Sequence, residues 1–223
     1  MGISTRNPPR LADMIPIKTE ALFAVPLGVT TISPEICDVL KTLQGGEQRG
    51  RRSNAVLHGE SAFNVLDEYP KIKSDITDIF SLWVNSLLGT TEQKWAMTTN
   101  WITLNPNGDD MTVHRHFNCM YSGVLYFDKV DETHPALEFI NPFFEVFGGF
   151  LIPTPEDKVN VFNAPNTAAP IKEGQMMFFP SYLVHGHPAF QRTGIVRKSF
   201  ACNFFPTGKY GRYDSTIDTQ WIQ

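Results

Sequence analysis

Residues 95–127, WAMTTNWITLNPNGDDMTVHRHFNCMYSGVLYF, set the grammar of this chain. From Trp95 onward apolar and polar residues alternate in short runs broken by Gly, Pro and Asn, which is the pattern of strands joined by turns. The candidate strands are 95–104, 112–118, 121–127, 136–140, 147–151, 159–163, 175–179, 182–187 and 195–205. Eight or nine short strands with turn signals between them predict a mainly β fold, a sandwich or jelly-roll barrel.

Upstream of Trp95 the period changes. Residues 1–20, with Pro8, Pro9 and Pro16, read as an extended arm, and ALFAVPLGV (21–29) as a strand interrupted by Pro26. Ser33 as N-cap, Pro34 at the first helical position and Gly45 at the end bracket a helix whose Ile36, Val39, Leu40 and Leu43 share one face. Residues 44–66 form a polar connection. Its Arg49, Arg51 and Arg52 read as a solvated loop in preference to a phosphate or acid site. After Pro70 the spacing of Ile72, Ile76, Ile79, Phe80, Trp83, Val84, Leu87 and Leu88 predicts the longest helix, ended by Gly89 and packed outside a sheet.

The whole chain, 1–223, is expected to be one domain: an arm with helical support (1–92), a β core (93–206) and a C-terminal tail (207–223). The 223 residues suffice for a sizeable core, and 17 Phe favour aromatic packing between broad β surfaces. A net charge of −4 leaves no basic field for nucleic acid. Cys37, Cys119 and Cys202 are odd in number and without a C-x-x-C pair, which argues against a disulfide framework and a zinc knuckle and for a reducing setting. No apolar run approaches the ~20 residues of a membrane span, so a cytoplasmic protein without a membrane partner is expected.

The chemistry concentrates in TVHRHFN, 112–118. On an extended strand His114 and His116 project side by side, and two imidazoles on one face can share a metal ion. The best candidate for a third ligand is His185 in FFPSYLVHGHP, since a histidine after so apolar a run is either hydrogen-bonded or ligating. Three facial nitrogens on an octahedral ion leave three positions for substrate and oxygen. In IVRKSFACNFF alternation puts Arg197, Ser199, Ala201 and Asn203 on one face. Arg197 and Ser199 there either hold a carboxylate ligand or, for the arginine, pair with a protein acid such as Glu138. Trp95, Trp101, Tyr121, Tyr126 and Phe139 are candidates to line a barrel, with core packing as their alternative role.

In their order, NWITLNPNGDDMTVHRHFNCMYSGVLYF, FINP, IKEGQMMFFPSYLVHGHPAF and VRKSFACNFF resemble the Fe(II)/2-oxoglutarate-dependent oxygenases, and most of all the 2OG-Fe(II) oxygenase family of phages and marine bacteria. The shared elements are H-x-H, S-G-V-x-Y, F-P-S-x-x-x-H and R-x-S-F-x-x-N. The likeness runs from about Phe23 to Phe205. It implies a double-stranded β-helix with Fe(II) at its mouth, an α+β fold with the helices outside. It implies His114, His116 and His185 as metal ligands, and Arg197 with Ser199 as the holders of the distal carboxylate of 2-oxoglutarate. His116 departs from the H-x-D/E motif of the wider superfamily. Two other registrations remain open on the sequence: His116-Phe117-Asn118 read as a degraded H-x-D, and His187 in place of His185.

The implied reaction couples decarboxylation of 2-oxoglutarate to succinate with oxidation of a substrate C–H bond, most simply hydroxylation. Two rival readings are a three-His cupin-like metalloenzyme that does without 2-oxoglutarate, and a noncatalytic jelly-roll binding module of a phage. The substrate, small molecule or protein, is not legible. The Asn141–Pro170 loop is expected to cover the mouth, and a homodimer is a candidate assembly. A phage-encoded chain would work in the host cytoplasm.

Overall fold

The computed structural model describes residues 24–43, 49–50, 59–60, 63–90, 93–144 and 159–220. The N-terminal arm, His58, Arg51, Arg52 and the expected strand 147–151 lie outside these residues. In chain order the elements are β1 (Gly28–Thr31), α1 (Pro34–Thr42), β2 (Arg49–Gly50), β3 (Gly59–Glu60), α2 (Pro70–Leu88), β4 (Lys94–Asn105), β5 (Met111–His114), β6 (Tyr121–Tyr126), β7 (Leu137–Ile140), β8 (Asn166–Ala169), β9 (Gln175–Pro180), β10 (His185–His187), β11 (Arg197–Thr207), β12 (Lys209–Tyr210) and β13 (Ile217–Asp218). Among the described residues no helix is long and apolar enough to cross a membrane.

The strands form a seven-stranded sheet, ordered β1-β9-β6-β11-β4-β3-β2, and a four-stranded sheet, ordered β5-β10-β7-β8. Their pairings are antiparallel. This is the jelly-roll arrangement that the strand pattern predicts, with both helices on the outer face of the larger sheet.

Alternation along the central strands explains why their sequences read as nearly continuous apolar runs. In β9, Met176 and Phe178 join the outer core beneath the helices, while Met177 and Phe179 face inward to Leu137 and Phe139 of the smaller sheet. A strand covered on both faces has no solvent side on which to place polar residues. In β6, Tyr121 and Leu125 go outward, and Val124 and Tyr126 inward. The outward side of β11 carries Phe200, Cys202 and Phe204 into the helical layer. That leaves Arg197, Ser199, Ala201 and Asn203 to look inward.

Helix α2 forms as its spacing predicts. Ile76, Phe80 and Val84 are buried at four-residue intervals. Gly89 ends it in the left-handed conformation, φ 66°, its N–H bonding to the carbonyls of Asn85 and Ser86. Phe80 anchors the helix, stacking on Phe204 at 3.9 Å and meeting Trp95 and Phe178 edge-on at 5.3 and 5.5 Å. The shorter α1 begins at Pro34 and buries Ile36, Cys37 and Leu40; it stops at Thr42, ahead of the expected Gly45.

Several expected strands shift. The first begins only at Gly28, since residues 24–27 lie outside any strand. Strand β5 ends at His114, not at residue 118, because the chain turns away there and Asn118 adopts a φ of 59°. Residues 159–163 form no strand: the side-chain oxygens of Asn160 and Asn163 capture the N–H groups of Phe162 and Asn160, closing a turn. The strand forms instead at β8, paired with β7. Within the expected 182–187 strand, Leu183 bonds back to Pro180 in a turn, and β10 starts only at His185. The polar connection contributes β2 and β3, which extend the large sheet beyond β4. The expected tail carries the β12–β13 hairpin.

Candidate metal centre and its cavity

Three imidazoles meet at one end of the cavity between the sheets. His114 closes β5 and His185 opens β10, and the two are direct cross-strand partners. Gly186 lets these strands approach this closely, since a Cβ there would lie 2.5 Å from the Met111 carbonyl oxygen. His116 sits two residues past the end of β5, where its N–H bonds to the Ser181 carbonyl at 3.1 Å. It reaches the site from a turn, not along an extended strand as the alternation predicts.

Ring centroids are 4.7 Å apart for His114 and His185, 5.1 Å for His116 and His185, and 5.3 Å for His114 and His116. Their ligand nitrogens lie within 4.8 Å of one another, and the Nε2 atoms of His114 and His116 are 3.3 Å apart. A cation ~2.1 Å from each of three mutually perpendicular ligands would hold those nitrogens ~3 Å apart. The His114 and His116 nitrogens stand close to that spacing, and His185, within 4.8 Å of both, draws in to complete the set.

The opposite side of each ring is tied back. His114 Nδ1 meets the Thr112 carbonyl at 2.9 Å, His185 Nδ1 the Leu183 carbonyl at 2.9 Å, and His116 Nδ1 the Asn203 Oδ1 at 2.6 Å. A carbonyl can only accept, so these contacts assign the proton to Nδ1 and leave each Nε2 lone pair for a metal. Burial beneath Phe179, 4.8 Å away between ring centres, pushes the His185 pKa down to about 3, with the neighbouring His114 and His116 adding to the shift. A neutral His185 is a ligand that protons do not compete for at neutral pH.

Arg197 lies at the start of β11 and faces the same cavity, which measures about 360 Å³. Its wall includes Trp101, Met111, Val124, Leu137 and Phe179 on the apolar side and Thr103, Tyr126, Arg197 and Ser199 on the polar side. Arg197 as a whole is 4% exposed. Nη2 donates to Tyr126 Oη at 3.1 Å, and the cation rests 5.0 Å from the centre of that ring. Nε is buried without a hydrogen-bond partner among the described residues. The pairing with Glu138 does not form: no carboxylate among the described residues lies within ion-pair distance of Arg197, whereas Lys198 on the opposite face has Asp128 at 2.6 Å. A buried cation with an unused donor, opening on a cavity, suits an anionic ligand.

Of the remaining sequence candidates, Trp101 and Tyr126 line this cavity, while Trp95 and Tyr121 belong to the outer core and Phe139 packs between the sheets. His187 is outside the triad: the register slips between it and His185, and its Nδ1 contacts the Pro188 carbonyl at 3.0 Å. His134 braces a loop, accepting from the Asp131 N–H and contacting the Ile195 carbonyl. Ser122 and Asn203 support the site without having been assigned a role from sequence, and Tyr126, expected only as a lining residue, also holds the guanidinium; the usable signal was that Asn203 shares its strand face with Arg197.

Residues 99–203 match the family described as "Putative 2OG-Fe(II) oxygenase". Over this segment, a little under half of the chain, the sequence is similar to that family. The matched segment contains His114, His116, His185, Arg197 and Ser199, and this donor set fits the two cofactors in the family's description, Fe(II) and 2-oxoglutarate.

Solved structures agree in fold at low identity. The α-ketoglutarate-dependent epimerase SnoN of nogalamycin biosynthesis is 13% identical, with 84% of this chain and 79% of that one covered and a TM-score of 0.59. A Pseudomonas putida prolyl-4-hydroxylase is 17% identical, with 82% and 94% covered and a TM-score of 0.53. AviO1 from Streptomyces viridochromogenes is 14% identical, with 81% and 89% covered and a TM-score of 0.54. No curated protein matches the sequence.

Proposed function

We propose that this chain is an oxygenase that hydroxylates an unidentified substrate, releasing succinate and CO2, with Fe(II) held by His114, His116 and His185 and 2-oxoglutarate anchored by Arg197. The observation that carries the proposal is the pairing, in one cavity, of three inward-facing Nε2 atoms with a buried guanidinium that has no acid partner among the described residues. Bound there, the iron and the keto acid supply the oxidising chemistry.

The chain's own part is binding, orientation and water exclusion. Nδ1 of each histidine stays hydrogen-bonded to an oxygen, which keeps the lone pair of Nε2 aimed inward. Arg197 takes the distal carboxylate through its unused donors, and Ser199, two residues on along the same face, adds a hydroxyl. Burial holds the Tyr126 phenol in its protonated form, so that its ring supports the guanidinium without bringing a competing anion. Val124, Leu137 and Phe179 give the cavity an apolar wall, and a low-dielectric wall strengthens the polar contacts made against it.

The solved neighbours include an epimerase and a prolyl hydroxylase, so fold alone selects no reaction. Hydroxylation is the simplest outcome of this chemistry; besides the histidines, the described cavity wall carries one carboxylate, Asp110, and Asp110→Asn tests whether a base contributes. A three-His enzyme that does without 2-oxoglutarate would have no need for Arg197 in this setting. Anaerobically purified protein given Fe(II), 2-oxoglutarate and oxygen should release succinate even without substrate, and Arg197→Ala should suppress that release. Absence of succinate together with absence of 2-oxoglutarate binding by calorimetry would overturn the proposal.

A further inference from the structure

Backbone carbonyls hold His114 and His185, but Nδ1 of His116 meets side chains, the Ser122 hydroxyl at 3.0 Å and, more closely, an amide. That amide partner, Asn203, is itself locked. Its Oδ1 takes the Nδ1–H of His116 at 2.6 Å and the Ser122 hydroxyl at 2.9 Å, filling both carbonyl lone pairs, while its Nδ2 donates to Thr99 Oγ1 at 2.9 Å. Ser122 in turn meets Ser181 Oγ at 2.8 Å. Ser122 and Ser181 are wholly buried, at 0% and 1% exposure, so water does not compete for these bonds.

Orientation of the amide decides the chemistry of His116. With its carbonyl toward the ring, the proton sits on Nδ1 and Nε2 faces the other two histidines as a lone pair. With its amino group toward the ring, Nδ1 would have to accept, Nε2 would carry the proton, and the third ligand would be lost. Ser122 selects the first orientation. With Ser181 donating to it, Ser122 gives its own proton to the Asn203 carbonyl, and its oxygen, 3.0 Å from His116 Nδ1, is then left to accept from that nitrogen alongside the amide.

We infer that Asn203 is a positioning residue for the metal centre, fixing the tautomer of His116 under the control of Ser122. The inference rests on the three-histidine reading above. The motif R-x-S-F-x-x-N then contributes both halves of the site from one strand face, Arg197 to the anion and Asn203 to the metal ligand.

The test uses the full chain, labelled with 15N-histidine and freed of metal, and Co(II) as the probe. Long-range 1H–15N correlation, with His116→Gln for assignment, reads the tautomer of His116, and calorimetry reads Co(II) affinity. In the wild type His116 should carry its proton on Nδ1. Asn203→Leu, or Asn203→Ala if the leucine is not tolerated, should populate the Nε2–H form and weaken Co(II) binding by about 10–100-fold, the range for supporting contacts to metal ligands. Asn203→Asp, which accepts but cannot donate, should restore both tautomer and affinity, an outcome that lost packing alone would not give. An unchanged tautomer and affinity in the apolar variants would overturn the inference while leaving the metal centre standing, as would an Asp variant as weak as they are. If the wild type takes up no Co(II), the three-histidine reading itself fails and the inference with it.

Discussion

Replacing Arg197 by Met together with Tyr126 by Phe should leave the metal-free protein about as stable as before, or more so, while abolishing its response to 2-oxoglutarate. The double change removes both ends of the Nη2–Oη hydrogen bond, so that neither partner is stranded. What is lost is one charge-assisted hydrogen bond, ~1.5–3 kcal/mol, and a cation–π contact of ~0.5–2 kcal/mol. What is relieved is the burial of a cation that has no acid partner among the described residues, its orphaned Nε included, which costs several kcal/mol. The terms cancel or favour the variant. Melting followed by fluorescence should give an apo Tm no more than ~4 °C below wild type, since ~1 kcal/mol moves Tm by ~2–4 °C in a chain of this size. With Zn(II) in place of iron and 2-oxoglutarate at ~100 times its Kd, the wild type should gain ~2.7 kcal/mol and the variant nothing. A large drop in apo Tm would make Arg197 a structural residue, and a retained response to 2-oxoglutarate would place the anion site elsewhere.

Further perturbations address the metal end and the scaffold. His185 is neutral in the folded and unfolded states above pH 6.5; below it the unfolded chain takes up a proton that the folded one refuses until about pH 3. Metal-free protein should therefore lose ~2–3 kcal/mol between pH 7 and 4.5 from this residue alone, and His185→Asn should flatten that part of the profile; parallel profiles would refute the burial argument. Gly186→Ala should drive β5 away from β10 by its clash with the Met111 carbonyl, loosening His114 from His185 and weakening Co(II) binding by about tenfold or more with the fold retained by circular dichroism. Phe80→Ala should cost ~3–5 kcal/mol in a denaturant melt, because it empties the centre of the outer aromatic core, yet Co(II) affinity of the folded protein should stay within about twofold.

The helices were legible because local chemistry encloses them: Pro at the first turn, apolar residues at helical spacing, and for α2 a glycine at the end. The central strands were legible because burial on one or both faces leaves its mark residue by residue. Strand ends were not. His116 leaves β5 through a turn stabilised by the Ser181 carbonyl, a partner 65 positions away that no local pattern announces. Val161 and Phe162 suggested a strand, but the asparagines beside them close a turn first, and the pairing passes to Asn166–Ala169, where Thr167 alone favours β structure. For the site, His114, His116, His185, Arg197 and Ser199 were all named from the sequence, and the three rings and the guanidinium do share one cavity. The support from Tyr126, Ser122 and Asn203 escaped, since it depends on which strands lie side by side: β6 between β9 and β11.

The claim on which the account stands is that three histidines hold one iron and that the keto acid binds beside it. Anaerobic calorimetry on metal-free protein, titrated first with Fe(II) and then with 2-oxoglutarate, tests it directly. The account predicts one Fe(II) per chain, lost when His114, His116 and His185 are replaced by Ala, and 2-oxoglutarate binding that follows only once the metal is in place. Iron uptake indifferent to those three replacements, or 2-oxoglutarate binding equally well without the metal, would contradict it.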